Sequence, residues 1–265
     1  MKWKDILIKF LAAASVLLIL WVGDLFLGNP ISYAIVKVHS VRYLSRQYPD
    51  QPLQVERIYH DWYSGGGYDV TVTSPVSRDT VFQLCYDRLG ILRQDCYEMT
   101  VASGNATLSR LMEEYDEAVA SALSSFLKPY DFKASLSCID GYTGQPVPLE
   151  TGIDPSQLQL DGDYDVAVMG EEYGYISLTI GVEKAAVSVD TAAELLLRIR
   201  EALGEKGIGW KQFDLYLHEE NGKDTNVFVG INGIREADLD RENVLAHLTA
   251  MRDSQLDWWL SPKEE

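Results

Sequence analysis

The chain has 265 residues, of which 46% are hydrophobic and 11% aromatic, and its formal net charge is −17. This composition is typical of a folding chain rather than a disordered one, and the length allows one large domain or two ordinary ones. The negative charge argues against nucleic acid and anionic lipid as partners, because phosphates repel an acidic surface.

The chain begins with an apolar segment. Residues 6–27 read ILIKFLAAASVLLILWVGDLFL, and only Lys9 and Asp24 interrupt them. If the Lys9 stem reaches the headgroups, the segment has the length of a transmembrane helix and makes the membrane a partner. Lys2, Lys4 and Lys9 all precede the apolar core. This asymmetry predicts a single-pass protein with residues 1–27 as cytoplasmic tip and anchor and the bulk of the chain outside the cytoplasm.

Two alternatives to a retained anchor stay open. Ser32-Tyr33-Ala34 offers a small-x-small cleavage site shortly after the apolar segment, so the protein could be secreted after cleavage near Ala34. The segment could also be a helix of a soluble core, because its uninterrupted apolar stretch is short.

Residues 28–140 are predicted to form a first lobe that mixes helices with hairpins. Asn29 can cap a helix that Pro30 begins, and apolar residues recur at helical spacing up to Tyr48. Turn residues and alternating apolar positions then predict further strands and one amphipathic helix. These are strands over residues 53–63, 68–74, 80–86 and 92–99, a helix over 108–126 and a strand from 132 to 138.

Residues 141–162 are rich in glycine and proline and are predicted to link two lobes. The second lobe, 163–265, is predicted to contain strands over 164–169, 174–182, 211–218 and 225–231 and helices over 191–203 and 240–251. Thr191 and Glu194 have capping-box spacing. Because strands occur in runs rather than in strict alternation with helices, the predicted fold class is α+β with antiparallel sheets in both lobes.

Several local motifs resemble the YfjL-like family of Gram-positive bacterial proteins. They are Gly28-Asn29-Pro30-Ile31-Ser32 after an apolar segment, Tyr68-Asp69-Val70-Thr71-Val72-Thr73-Ser74-Pro75, and Asn105-Ala106-Thr107 followed by Arg110-Leu111 and Glu113-Glu114-Tyr115. The likeness covers roughly residues 20–125, and the second lobe only loosely. It implies a membrane-anchored extracytoplasmic α+β protein of uncharacterised function, with no catalytic residues to carry over. Cys85 and Cys96 depart from the family's pattern.

Those two cysteines are a candidate disulfide. If Gly90 and Ile91 form a two-residue turn, Cys85 and Cys96 lie directly opposite each other in a hairpin, and an extracytoplasmic hairpin can be oxidised. The alternative is a pair of free thiols. Cys138 is left unpaired and is predicted to be buried as a small hydrophobic residue.

A polar and aromatic cluster around the first hairpin is the candidate binding surface. Arginine and aromatic side chains dominate binding hot spots. Strand alternation offers a second interpretation. One face of such a strand packs into the core, so the residues on that face would be core residues rather than binding residues. The cluster consists of Arg57, Tyr59, His60, Trp62, Tyr63 and Tyr68.

The sequence indicates no catalytic, metal or cofactor site. The four histidines are widely separated, the cysteines form no CxxC pair, and there is no nucleophile elbow or phosphate loop. Asp161 to Asp165 with Glu172 resembles a calcium loop, but Val166 occupies the position that needs glycine. We therefore expect neither metal nor cofactor.

These observations favour a membrane-anchored binding or accessory module for a protein or a cell-envelope component. Two other functions stay open. A divergent enzyme acting on envelope material would use a cleft that contains carboxylates, and a structural spacer would need no binding site.

Overall fold

The computed structural model describes residues 2–62, 66–127, 131–136, 152–220, 228–239 and 244–260. The helices are α1 Lys2–Leu27, α2 Pro30–Gln47, α3 Asn105–Leu123, α4 Val166–Tyr173, α5 Val189–Glu205 and α6 Val244–Leu260. The strands are β1 Gln54–Asp61, β2 Gly67–Ser74, β3 Ser77–Tyr86, β4 Leu92–Asp95, β5 Asp131–Ser135, β6 Tyr175–Val182, β7 Gln212–Glu219 and β8 Phe228–Ile234. They form two four-stranded sheets, ordered β1-β2-β3-β4 and β5-β6-β7-β8. The chain is therefore a mixed α+β protein in which antiparallel pairing dominates.

The predicted N-terminal transmembrane helix is not supported. Among the described residues, no helix is both long enough and apolar enough to cross a membrane. A span needs about 20 consecutive, predominantly apolar residues. In α1, only 14 residues lie between Lys9 and Asp24.

The division of the chain differs from the predicted linker at 141–162. One compact unit comprises Met1–Thr107 with Pro155–Gly162, and the other comprises Leu108–Asp154 with Asp163–Glu265. Residues 155–162 belong to the first unit because paired aspartates attach them to β3. The Asp161 backbone N–H donates to the Asp79 carboxylate at 2.9 Å, and the Asp79 N–H donates to the Asp161 carboxylate at 3.0 Å.

The first unit is an antiparallel meander with α2 packed on one face. Asn29 caps α2 as predicted, since its side-chain oxygen accepts a hydrogen bond from the Ile31 N–H at 2.8 Å. The core lies between α2 and the sheet. Its buried residues are Val36, Leu44, Tyr68, Val70, Val72, Phe82, Leu84, Tyr86 and Val101.

The joint between α1 and α2 lies against the sheet. Gly28 has a φ of 75° there, a conformation that favours glycine. A Cβ at this position would come within 2.9 Å of the Tyr68 hydroxyl and 3.0 Å of the His60 ring. The sheet therefore fixes where α1 leaves the unit.

The second unit contains one parallel pair that the sequence analysis did not predict. β6 and β7 run parallel, while β5 and β8 are antiparallel to their neighbours. The reason is α5, which joins β6 to β7 and returns the chain to the same end of the sheet. The N-cap of α5 is Ser188, whose hydroxyl accepts a hydrogen bond from the Thr191 N–H at 3.1 Å. Thr191, which the sequence placed in a capping box, lies inside the helix instead.

The strand predicted over residues 164–169 is wrong, because α4 occupies this region. Asp165 caps that helix by accepting hydrogen bonds from the Ala167 and Val168 N–H groups. Gly170 on the same helix lies close to the Gly209 carbonyl and the Tyr115 ring. Local capping and close packing thus decide the conformation of a short apolar run that periodicity alone leaves ambiguous.

Candidate functional site

The sheet of the first unit has an inner face under α2 and an outer face. Strand pairing aligns Tyr59, Asp69, Cys85 and Gln94 in one row across all four strands. A second row contains Arg57, Thr71 and Gln83. Because side chains alternate along a strand, both rows lie on the outer face, opposite the apolar core. All seven residues are half-buried or exposed.

The six residues of the predicted binding cluster do not form one surface. Arg57 and Tyr59 lie on the outer face, whereas the His60 and Tyr68 rings pack edge to face with centroids 5.3 Å apart on the inner one. Tyr68 is buried. Trp62 is exposed just beyond the end of β1, and Tyr63 lies outside the described residues. The outer-face pair therefore remains the candidate, and the inner-face pair is part of the core.

Asp69 is the centre of the outer-face cluster. Its carboxylate lies beside the Tyr59 hydroxyl and the Cys85 thiol. Gln83 donates from its side-chain amide to the Tyr59 oxygen at 3.0 Å. Burial raises the pKa of Tyr59, and the negative charge of Asp69 raises it further. The cluster is thus a connected polar network.

The structure shows Cys85 and Cys96 without a bond between them, and the register predicted between them is wrong. Cys85 pairs with Gln94, and a bulge shifts the register between Cys85 and Tyr86. The reason is the turn, which is longer than the predicted Gly90-Ile91 pair and extends from Asp87 to Ile91. The disulfide itself stays a prediction, since the two thiols still interact through a hydrogen bond. Cys138 lies outside the described residues.

Both thiols are kept in the protonated form. Burial raises the pKa of Cys85 to about 12, and the hydrogen bond with the Asp69 carboxylate contributes to this shift. Burial also raises the pKa of Cys96. Because the thiolate is the nucleophilic form, Cys85 is unsuited to covalent chemistry at neutral pH.

A hollow of about 700 Å³ opens beside the Asp69 row, and we call it the outer-face hollow. It contains charges of both signs, three carboxylates and two guanidinium groups. Its lining residues are Asp61, Gly67, Asp69, Cys85, Tyr86, Asp87, Arg88, Leu89, Arg93 and Gln94. Cavities of this size are typical of small-ligand sites, which span about 300 to 1,000 Å³.

The charges in the outer-face hollow are partly matched by internal contacts. Arg93 donates to the Asp87 carboxylate at 2.6 Å, and the Leu89 and Ile91 N–H groups donate to the same side chain at 2.9 Å. Backbone donation from Ile91, with that from Leu89 and the Arg93 contact, lowers the pKa of Asp87. The Asp87 carboxylate is therefore engaged in hydrogen bonds within its own turn. Asp69 is half-buried, and its side chain lines the hollow.

Sequence reasoning missed most residues of the outer-face hollow. Asp69 and Gln94 could have been found by extending the alternation of β1 across the neighbouring strands, since both lie in the row of Tyr59. Arg88 and Arg93 belong to the longer turn, which the two-residue prediction concealed. Among the described residues, no group of three His, Cys, Asp or Glu side chains is arranged to hold a metal ion.

Comparison with known protein families gives a match in the first unit. Residues 3–95 match the family model described as the YfjL-like N-terminal domain. The predicted resemblance to that family is confirmed up to residue 95, over a range that comprises α1, α2 and the first sheet, and the motifs quoted between residues 105 and 115 lie outside the match. The family is uncharacterised, so the match gives no specific function.

One solved structure is similar to a larger part of the chain. It is the crystal structure of a DUF5037 family protein from Ruminococcus gnavus ATCC 29149, which shares 14% identity and covers 82% of this chain and 99% of its own. The TM-score is 0.22, so the similarity carries no argument here. No curated protein matches the sequence.

Proposed function

We propose that the protein is a membrane-associated binding module that acts outside the cytoplasm and recognises a protein or envelope component through the outer face of its first sheet. The outer-face hollow is the single observation that carries this proposal. It combines a size suited to a ligand with convergent carboxylate, guanidinium and amide groups.

The chemistry of the outer-face hollow favours an amine-bearing ligand, such as a peptide segment or an amino sugar. Arg93 offsets the charge of Asp87, and Arg88 donates to the Gly66 carbonyl at 3.3 Å. The three carboxylates of the lining outnumber its two guanidinium groups, and Asp69 is one of the lining residues. A bound ammonium group would gain a charge-assisted hydrogen bond to Asp69.

Binding fits this site better than catalysis does. The Cys85 thiol is held protonated by burial and by Asp69, so it cannot serve as a ready nucleophile. The network of Tyr59, Gln83 and Asp69 instead fixes donors and acceptors in place, which lowers the entropy lost on binding.

Association with a membrane is supported by the exposed apolar surface of α1. These side chains point in all directions around the helix, so a single protein partner would cover only some of them, whereas lipid can surround them all. They include Ile6, Leu7, Ile8, Phe10, Leu11, Val16, Leu18 and Val22.

Protease treatment of intact cells, with intact-mass measurement of a tagged chain, tests the location. We expect a full-length protein in the membrane fraction that external protease digests. A chain shortened after Ala34 in the medium would instead establish secretion, and a protected chain would contradict the proposal.

Photocrosslinking in living cells tests the binding surface. A photoreactive amino acid at position 94, on the outer face, is expected to yield a discrete adduct. The matched control is position 41, an exposed valine on α2. Equal labelling from both positions, or none from position 94, would contradict binding at the outer face.

A further inference from the structure

We propose that the first unit has a second lipid-contacting element, a patch at the end of the sheet from which α1 leaves. This junction patch consists of Ile31, Trp62, Leu89 and Ile91. The inference rests on the proposed membrane association and specifies which surface of the folded unit faces the bilayer.

Trp62 lies in the turn after β1, and Leu89 and Ile91 lie in the turn after β3. Strand pairing brings these two turns to one end of the sheet. His60, Tyr68, Tyr86 and Leu92 align across all four strands. The turn after β1 and the turn after β3 both lie beyond this row. They contact each other, since the Arg88 guanidinium donates to the Gly66 carbonyl.

The helices meet the sheet at the same end. The Asn29 backbone between α1 and α2 is hydrogen-bonded to Tyr68, which belongs to that last row. A ring nitrogen of His39 on α2 lies 2.7 Å from the Gly90 carbonyl in the second turn. Ile31 lies one helical turn from Ile35, whose side chain adjoins Gly90.

Large apolar side chains are exposed throughout the junction patch. The exposed fractions are 48% for Trp62, 74% for Leu89, 53% for Ile91 and 69% for Ile31. Asp87 orders the second turn by accepting hydrogen bonds from the Leu89 and Ile91 N–H groups, so these two side chains are presented on a fixed backbone. A group of exposed apolar side chains held on a fixed backbone is typical of a surface that contacts a partner or a membrane.

A bilayer surface is the occupant that these observations favour. The junction patch continues directly into α1 through Gly28 and Asn29, and α1 carries apolar side chains on every side. Tryptophan prefers the membrane–water interface, and Trp62 is exposed in the patch. A second copy is disfavoured because each chain carries a net charge of −17.

The test uses the full-length protein reconstituted into phosphatidylcholine vesicles, with a photoreactive amino acid at one position at a time. Position 11 reports on α1, and positions 62 and 89 report on the junction patch. The matched control is position 76, which is 76% exposed in the turn between β2 and β3 at the opposite end of the sheet. Lipid adducts are measured by mass.

We expect lipid adducts from positions 11, 62 and 89, at a yield several times that from position 76. Adducts from position 11 with no excess at 62 and 89 would overturn the junction patch and leave membrane association intact. Protein–protein adducts from position 89 would assign the patch to a second copy and overturn the inference. Absence of adducts at position 11 would overturn membrane association and the patch together.

Discussion

The hydroxyl of Tyr68 closes a two-way hydrogen bond with the backbone of Asn29. It accepts from the Asn29 N–H at 2.7 Å and donates to the Asn29 carbonyl at 3.0 Å. Through this one side chain the second strand of the sheet fixes the joint between the first two helices. The residue that sequence reasoning placed in a binding surface is therefore a structural connection.

Removing that hydroxyl tests the connection. Tyr68→Phe should lower the free energy of unfolding by about 1 to 2 kcal/mol, because two hydrogen bonds are lost and the half-buried Asn29 N–H is left without this partner, while the Asn29 carbonyl still accepts from the Tyr33 N–H at 2.9 Å. Tyr33→Phe is the matched control, since Tyr33 is an exposed tyrosine on α2. Urea denaturation of the purified full-length protein measures both changes, and equal effects of the two variants would refute the connection.

A second connection joins α2 to β4 through one carboxylate oxygen. The Tyr43 and Tyr48 hydroxyls donate to the same oxygen of Asp95 at 2.7 and 2.8 Å. Burial and then the bond to Asp95 raise the pKa of Tyr43 to about 12 and that of Tyr48 further. The folded state thus favours the protonated tyrosines.

This connection should weaken in strong alkali. The stability that it contributes is fully present below the unfolded tyrosine pKa of about 10 and is lost as the pH rises toward 12. Titration of isotope-labelled tyrosines by NMR checks the assignment. We expect Asp95→Asn to lower the pKa of Tyr43, and an unchanged value would show that Asp95 is not its partner.

The turn after β3 should be sensitive to acid. The Asp87 carboxylate has a lowered pKa in the folded state because it accepts hydrogen bonds from the Ile91 and Leu89 N–H groups and contacts Arg93. Its contribution is therefore present above the unfolded aspartate pKa of about 3.9 and is lost as the pH falls through the folded-state value.

Asp87→Ala should lower the free energy of unfolding by about 1 kcal/mol at neutral pH, with the difference from the parent protein shrinking in acid. Asp50→Ala, at an exposed aspartate in the turn after α2, is the control. A deficit that persists unchanged at low pH would show that the carboxylate charge is not responsible.

The Cys85 thiol should react slowly with alkylating reagents. Its pKa of about 12 leaves little thiolate at neutral pH, and Asp69 contributes to that value. In a background with Cys96→Ser and Cys138→Ser, Asp69→Asn is expected to speed alkylation of Cys85 several-fold. Asp87→Asn, in the same hollow but without contact to the thiol, should leave the rate unchanged. The same acceleration in both variants would indicate loosening of the fold rather than an effect of Asp69.

Local sequence signals predicted a large part of the first unit. The Asn29 cap, Pro30 and the helical spacing that follows gave α2 nearly to the residue, and alternation located β1 to β3. These features depend on neighbours within a few positions of the chain. Sequence alone therefore contains most of the information that determines them.

Features that depend on distant partners were predicted poorly. The register of β3 and β4 depends on Asp87, whose side chain holds a longer turn than glycine chemistry suggested. Residues 155–162 looked like a linker because their anchor, Asp79, is 82 positions away from Asp161. The parallel pairing of β6 with β7 likewise depends on how α5 returns the chain.

In the candidate site, too, local features were predicted and features that depend on distant partners were not. Arg57 and Tyr59 were identified from their residue type, but the row that joins Tyr59 to Asp69, Cys85 and Gln94 exists only when the strands pair. A two-residue turn at Gly90 and Ile91 would have placed a different residue opposite Cys85. Site prediction therefore failed where strand register was uncertain.

The effect of Asp69→Asn on crosslinking from position 94 tests the central claim most directly. The substitution keeps the size of the side chain and removes the charge that we assign to ligand recognition in the outer-face hollow. We predict that the adduct formed in cells from position 94 is lost while the thermal unfolding midpoint stays unchanged. An undiminished adduct with an intact fold would contradict recognition through Asp69 and the outer-face hollow.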